Sequence, residues 1–152
     1  MIAATLCYIK DNDKVLMLHR IKKANDIHEG KWNGLGGKIE SGETPEECVI
    51  REIFEESGLN ISNPILKGII TFPNFDGEND WLVFLYTTNT FSGKLIDSNE
   101  GMLKWIDKDK VLNLPLWEGD KIFIPWLDEN RFFSAKFVYK NKKLSDWSVA
   151  FY

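Results

Sequence analysis

One stretch, GKIESGETPEECVIREIFEESGL from Gly37 to Leu59, constrains the fold more than any other, because it spells out a helix with both its ends. Thr44 reads as an N-cap, Pro45 suits the first helical position, and Glu47 closes a capping box with Thr44. Gly58 is the expected stop, where a left-handed residue ends the hydrogen-bond ladder. At about 100° per residue, Val49, Ile50, Ile53 and Phe54 share an arc of roughly 140°, the face predicted to meet the core. Glu52, Glu55 and Glu56 fall on the opposite side, neighbours at i, i+3 and i+4.

Like charges at that spacing destabilise an isolated helix by a few tenths of a kcal/mol per pair. A cation offsets this cost, and carboxylate oxygens are hard ligands suited to Mg²⁺ or Mn²⁺. Just upstream, Gly34, Gly36 and Gly37 let the backbone approach a ligand or metal closely. Arg51 can hold a carboxylate through a bidentate pair and is not itself a proton carrier. The offsets among Gly36-Gly37, Glu43, Arg51 and Gly58 set this helix apart from an ordinary solvated, charged face.

With 152 residues and 43% hydrophobic content, the chain is expected to form one domain, residues 1–152, around a sizeable core. It has no apolar run long enough for a transmembrane helix. Met1-Ile2-Ala3-Ala4 lacks a charged n-region, and Lys10 and Asp11 break the first apolar segment, which argues against a signal peptide. Cys7 and Cys48 read as reduced thiols in or near the core, placing the chain in the cytoplasm. The net charge of −4 lacks the basic balance of a protein gripping a nucleic-acid backbone. No stable nucleic-acid partner and no membrane are expected; a small polyanion bridged by metal fits better. Lys136, Lys140, Lys142 and Lys143 read as a solvated hairpin around Asn141. His19 and His28 are not spaced for metal and read as structural, and Trp81, Trp105, Trp126 and Trp147 as packing residues.

The rest of the chain alternates strands and turns. Residues 2–10 and 14–20 form a predicted hairpin about Asp11-Asn12-Asp13, followed by a polar loop over 21–31. Strands are predicted over 64–74, 81–90 and 101–106, helices over 108–112 and 118–127, and a last hairpin from 131–139 and 145–151. The expected architecture is α+β, a mixed β-sheet sandwiched between α-helices.

The 37–59 stretch resembles the signature of the Nudix hydrolase family, and every fixed position is filled: Gly37, Glu43, Arg51, Glu52, Glu55, Glu56 and Gly58. Lys31-Trp32-Asn33-Gly34-Leu35-Gly36-Gly37-Lys38 and Leu116-Trp117-Glu118-Gly119-Asp120 are similar to the MutT-type branch, which hydrolyses oxidised purine nucleoside triphosphates. The likeness runs across most of the chain and implies the same fold. It also implies metal-assisted hydrolysis of 8-oxo-dGTP or a similar nucleotide, to the monophosphate and pyrophosphate, by a monomer acting on a small molecule.

The resemblance implies roles for particular residues. Glu52, Glu55 and Glu56 join the carbonyl of Gly36 around the metal, and Glu100 stands where related enzymes supply another carboxylate. Glu52 is the favoured activator of water, with Glu55 and Glu56 as alternatives, and Arg51 orients a glutamate. Glu43 serves the helix start. Lys23 and Lys38 match positions near the phosphates. Asn33 offers a donor and an acceptor to a purine edge, Asp120 faces guanine donors, and Trp117 and Phe72 wall the base. Gly119 stands where relatives carry a second aspartate and Asn74 replaces an aromatic, so guanine-type bases are expected over oxidised adenine. Attack at α- or β-phosphorus stays open, as do two other readings: hydrolysis of RNA 5′ ends or another nucleoside diphosphate, and a silent nucleotide-binding module.

Overall fold

A computed structural model describes residues 1–152. β1 (Ile2–Asp11) lies at its centre and alternates its side chains between two cores. Tyr8 joins one cluster with Met17, Leu85, Phe123, Phe133 and Phe137. Cys7 and Ile9 join the other, with Leu16, Leu35, Val49 and Ile53. A strand buried on both faces must belong to a sheet covered on both sides.

The covering elements are helical. α1 (Pro45–Ser57) supplies Val49 and Ile53 to one core, and α2 (Glu118–Phe123) supplies Phe123 to the other. β2 (Lys14–His19) and β3 (Trp32–Asn33) follow β1; after α1 come β4 (Asn60–Ser62), β5 (Ile65–Phe72), β6 (Trp81–Thr88), β7 (Thr90–Ser92) and β8 (Met102–Asp107). β9 (Phe133–Lys140) and β10 (Lys143–Phe151) close the chain. The main sheet runs β10-β9-β5-β6-β1-β2-β3, with β8 also on β2, while β4 and β7 pair separately. The β1–β6 and β5–β9 pairs are parallel and the others antiparallel, so the sheet is mixed.

Three expectations need correction. The first hairpin pairs only at its tip, Lys10 with Val15 and Asp11 with Lys14. Beyond that β2 leaves β1 and pairs with β3, and residues 35–39 take its place: Cys7 and Leu35 exchange both backbone hydrogen bonds, Thr5 N–H donates to Gly37, and Ile39 N–H to Ala3. Secondly, the buried face of α1 is rotated from the predicted arc. Ile50 and Phe54 are exposed, whereas Cys48, Val49, Ile53, Glu56 and Ser57 are buried. The inserted loop lies against the helix and draws the Glu52–Glu56 edge inward. Thirdly, the helix predicted over 118–127 is α-helical only to Phe123 and tightens into a 3₁₀ turn from Ile124, beside Pro125. Proline lacks the N–H that an α-helical interior requires. Residues 108–113 are likewise a 3₁₀ helix.

The helix signals themselves hold. Thr44 Oγ1 accepts from Glu47 N–H, the Glu47 carboxylate accepts from Thr44 N–H, and Gly58 adopts φ 81°. In the last hairpin the Asn141-Lys142 turn has both residues left-handed, the conformation of a two-residue β-turn.

Candidate active site

The glycine loop is shaped by close approach and not by unusual torsions, since none of Gly34, Gly36 and Gly37 has positive φ. A Cβ at Gly36 would fall 1.9 Å from the Thr5 carbonyl oxygen, and one at Gly34 would fall 2.8 Å from that of Cys7. Only glycine lets this segment lie flat along β1. A Cβ at Gly37 would instead strike the Glu52 carboxyl, 2.3 Å from Cδ. The loop therefore fits β1 on one side and α1's carboxylates on the other. The Gly36 N–H donates to Glu56 Oε1 at 3.1 Å, while its carbonyl accepts no hydrogen bond within the chain.

Arg51 organises the acidic edge. It grips Glu43 with two hydrogen bonds, Nε to Oε2 at 2.6 Å and Nη2 to Oε1 at 2.9 Å. Its Nη1 reaches Glu52 Oε1 at 2.9 Å and Glu55 Oε2 at 3.3 Å, and Nη2 reaches the Lys38 carbonyl at 3.2 Å. The guanidinium draws the Glu43 carboxyl down to about 2. Glu43 also accepts from Glu40 N–H, which fits its expected place at the helix start. Glu52 is raised by burial, with Arg51 opposing the shift. Burial pushes Glu56 up to about 8, and the like charges of Glu52 and Glu100 add to this.

These groups border a cavity of about 420 Å³, a size suited to a small-molecule ligand. At one end stand Gly36, Gly37, Lys38, Glu52, Glu56 and Glu100. The other end is an aromatic recess: Phe72, Phe75, Trp117 and Tyr139 pack mutually, with Trp117 5.1 Å from both Phe75 and Tyr139 in edge-on geometry. Asn33 and Asp120 provide its polar groups. Asn33 Oδ1 is buried without a hydrogen-bond partner. Burial pushes Asp120 up to about 8, against the pull of Lys31, so near neutral pH it retains a proton and can donate as well as accept. Trp117 Nε1 donates to His28 Nδ1 at 2.9 Å, fixing the indole. Burial lowers His28 to about 4, so the imidazole is neutral and accepts through Nδ1.

Most predicted site residues thus share one cavity: Asn33, Gly36, Lys38, Glu52, Glu56, Phe72, Glu100, Trp117 and Asp120. Two do not line it. Lys23 is paired with Glu100 at 2.9 Å, where it meets the cavity's edge through that carboxylate. Glu55 projects from the outer side of α1, its side chain 56% exposed and tied to Arg51. Arg51 stands behind Glu52. Sequence reading missed Phe75, Tyr139, His28 and Trp81 as lining residues. Trp81 is not simple packing: it lies beneath Lys38 Nζ, 5.5 Å from the ring centroid, and donates Nε1 to Asp76 at 3.0 Å. The fixed signature contains none of the four: Trp81 starts β6 and Tyr139 lies on β9, while Phe75 and His28 sit in the β5–β6 and β2–β3 loops.

The donor set can be tested against a divalent cation. No three acidic, histidine or cysteine side chains converge on one point: Glu52 is held by Arg51 and Glu100 by Lys23. The chemistry nevertheless fits a hard ion, because Glu56 is buried beside two like charges and the Gly36 carbonyl is unspent.

Residues 1–127 match the NUDIX domain. The chain is 39% identical over 120 residues to an uncharacterised Nudix hydrolase, YvcI, of Bacillus subtilis, covering 76% of this chain and 72% of that protein. It is 34% identical over 119 residues to an oxidized purine nucleoside triphosphate hydrolase of Danio rerio, covering 78% and 76%. A crystal structure of a MutT protein from Bacillus halodurans superposes with TM-score 0.86 at 34% identity, covering 98% of this chain and 97% of that one. With its glycine loop, Arg51-centred helix and carboxylate-edged cavity, the chain belongs to the Nudix hydrolase family.

Proposed function

We propose that this hydrolase acts on oxidised purine nucleoside triphosphates, 8-oxo-dGTP foremost, releasing the monophosphate and pyrophosphate and so clearing the nucleotide pool. The observation that carries the reading is the single cavity that joins a carboxylate-lined end to an aromatic recess holding the unpartnered Asn33 Oδ1 and the buried Asp120. A purine held between Trp117 and Phe72 presents its edge to those two groups, and its phosphates lie toward Lys38 and α1.

Glu52, Glu56, Glu100 and the Gly36 carbonyl would hold Mg²⁺ or Mn²⁺. When bound, the ion neutralises phosphate charge and acidifies water. Arg51 fixes Glu52 by Oε1 and leaves Oε2 free to accept the proton of the attacking water. Glu55, outside the cavity, serves Arg51. Lys38 offers positive charge at the mouth, and Lys23 holds Glu100. The aromatic walls exclude water from the base. The same reading makes the protein a monomeric, cytoplasmic domain over residues 1–152 with no stable nucleic-acid partner. The two buried free thiols, Cys7 and Cys48, support a reducing compartment.

The test is steady-state pyrophosphate release in Mg²⁺ on 8-oxo-dGTP, dGTP, 2-hydroxy-dATP and dATP, with Glu52→Gln as control. A kcat/KM advantage for 8-oxo-dGTP that disappears in Glu52→Gln is expected. Equal turnover of 2-hydroxy-dATP would remove the guanine preference, and flat activity across all four would remove the base-reading function.

A further inference from the structure

We infer that Tyr139 is a specificity-determining hydrogen-bond donor in the nucleobase recess, seated there because residue 119 has no side chain. The inference rests on the purine-triphosphate reading above and names a residue that decides its base preference. Gly119 N–H donates to the Tyr139 hydroxyl oxygen at 2.7 Å. A Cβ at position 119 would lie 2.7 Å from that same oxygen and 2.9 Å from the Phe137 ring. Any larger residue at 119 therefore evicts the hydroxyl. The absent side chain and the phenol occupy one space, and Tyr139 fills it.

A phenol has one donor and an oxygen that accepts. The oxygen is spent on Gly119, and the proton has no partner within the protein. Burial holds the hydroxyl in its protonated form, so it remains a donor at any physiological pH. The ring stands edge-on to Trp117 and Phe75, which restricts its motion. The recess thus offers a fixed donor from Tyr139 and a buried, unused acceptor from Asn33 Oδ1.

That pair complements a base edge carrying one acceptor and one donor. A 6-oxo purine presents its carbonyl oxygen next to N1–H. A 6-amino purine places N–H donors against the Tyr139 proton and leaves both sides unsatisfied, the situation that produces the sharpest discrimination between substrates.

The experiment measures kcat/KM for 8-oxo-dGTP and 8-oxo-dATP with the wild type, Tyr139→Phe and Gly119→Ala. Tyr139→Phe keeps the ring and its packing and removes only the hydroxyl. Its kcat/KM is expected to fall about tenfold on 8-oxo-dGTP and to change less than about twofold on 8-oxo-dATP. Gly119→Ala, which displaces the hydroxyl by crowding, is expected to compress the same ratio. An unchanged ratio in Tyr139→Phe, or equal losses on both substrates, overturns the inference and leaves the proposed function standing. A wild type that turns over neither nucleotide overturns the function, and the inference with it.

Discussion

Asp120 carries a stability cost that pH can expose. In the unfolded chain its carboxyl loses its proton near pH 4, whereas in the recess it does so at about 8. Below about pH 4 both states hold the proton. Between about 4 and 8 the unfolded state releases it and the native state keeps it, so stability falls as pH rises, by up to about 1.4 kcal/mol per unit. Above about 8 both are ionised and the slope ends. Asp120→Asn is expected to flatten this dependence: between pH 5 and 8 the wild-type Tm should drop by more than that of the variant. Identical slopes in thermal melts at both pH values would contradict the burial argument. Arg51 presents the opposite case, a surface-edge cation whose planar fork holds Glu43 twice while reaching Glu52 and Glu55. An ammonium cannot reproduce that fork. Arg51→Lys is therefore expected to lower kcat at least tenfold, with the loss in kcat and not in KM.

At the scale of elements, the two loop glycines separate fold from chemistry. A methyl at Gly36 meets backbone, 1.9 Å from Thr5 O, which cannot move without disturbing β1. A methyl at Gly37 meets the end of the Glu52 side chain, which can turn. Gly36→Ala is expected to destabilise by about 2 kcal/mol or more, read by chemical denaturation. Gly37→Ala should keep most of the stability and lose most of kcat. At the other end of the stretch, Thr44→Ala removes the side-chain half of the capping box at a cost of about 1 kcal/mol. Its kcat should stay near the wild-type value, because Glu52 and Glu56 lie about two and three turns beyond.

For the molecule as a whole, the expected metal binding has a signature independent of turnover. Millimolar Mg²⁺ or Mn²⁺ should raise Tm by a few degrees, and Glu56→Gln should abolish the shift; an equal shift in that variant would remove Glu56 from the ligand set. No helix is long and apolar enough to cross a membrane. Local signals were readable wherever they depended on neighbours in sequence: the Thr44 cap, the Gly58 stop, the Asn141 turn and the spacing of Glu52 and Glu56. The inward turn of α1 was not, since periodicity treats a carboxylate as solvent-facing and cannot know that a glycine loop lies beside Glu56. Nor were Phe75, Trp81 and Tyr139, whose shared wall depends on pairings between strands far apart in sequence. The splaying of β1 from β2 was hidden for the same reason, because the competing partner is a loop with no strand pattern of its own.

That substitution of a loop for a strand has a dynamic consequence. With Leu35, Gly37 and Ile39 hydrogen-bonded to β1 at the centre of the sheet, the segment opens only when the sheet itself opens. The amides of Leu35 and Ile39, and those of Thr5 and Cys7, should exchange with deuterium as slowly as the most protected in the protein. The catalytic loop is then a fixed wall during turnover. Residues 73–80, between β5 and β6, add Phe75 and Asp76 to the same lining.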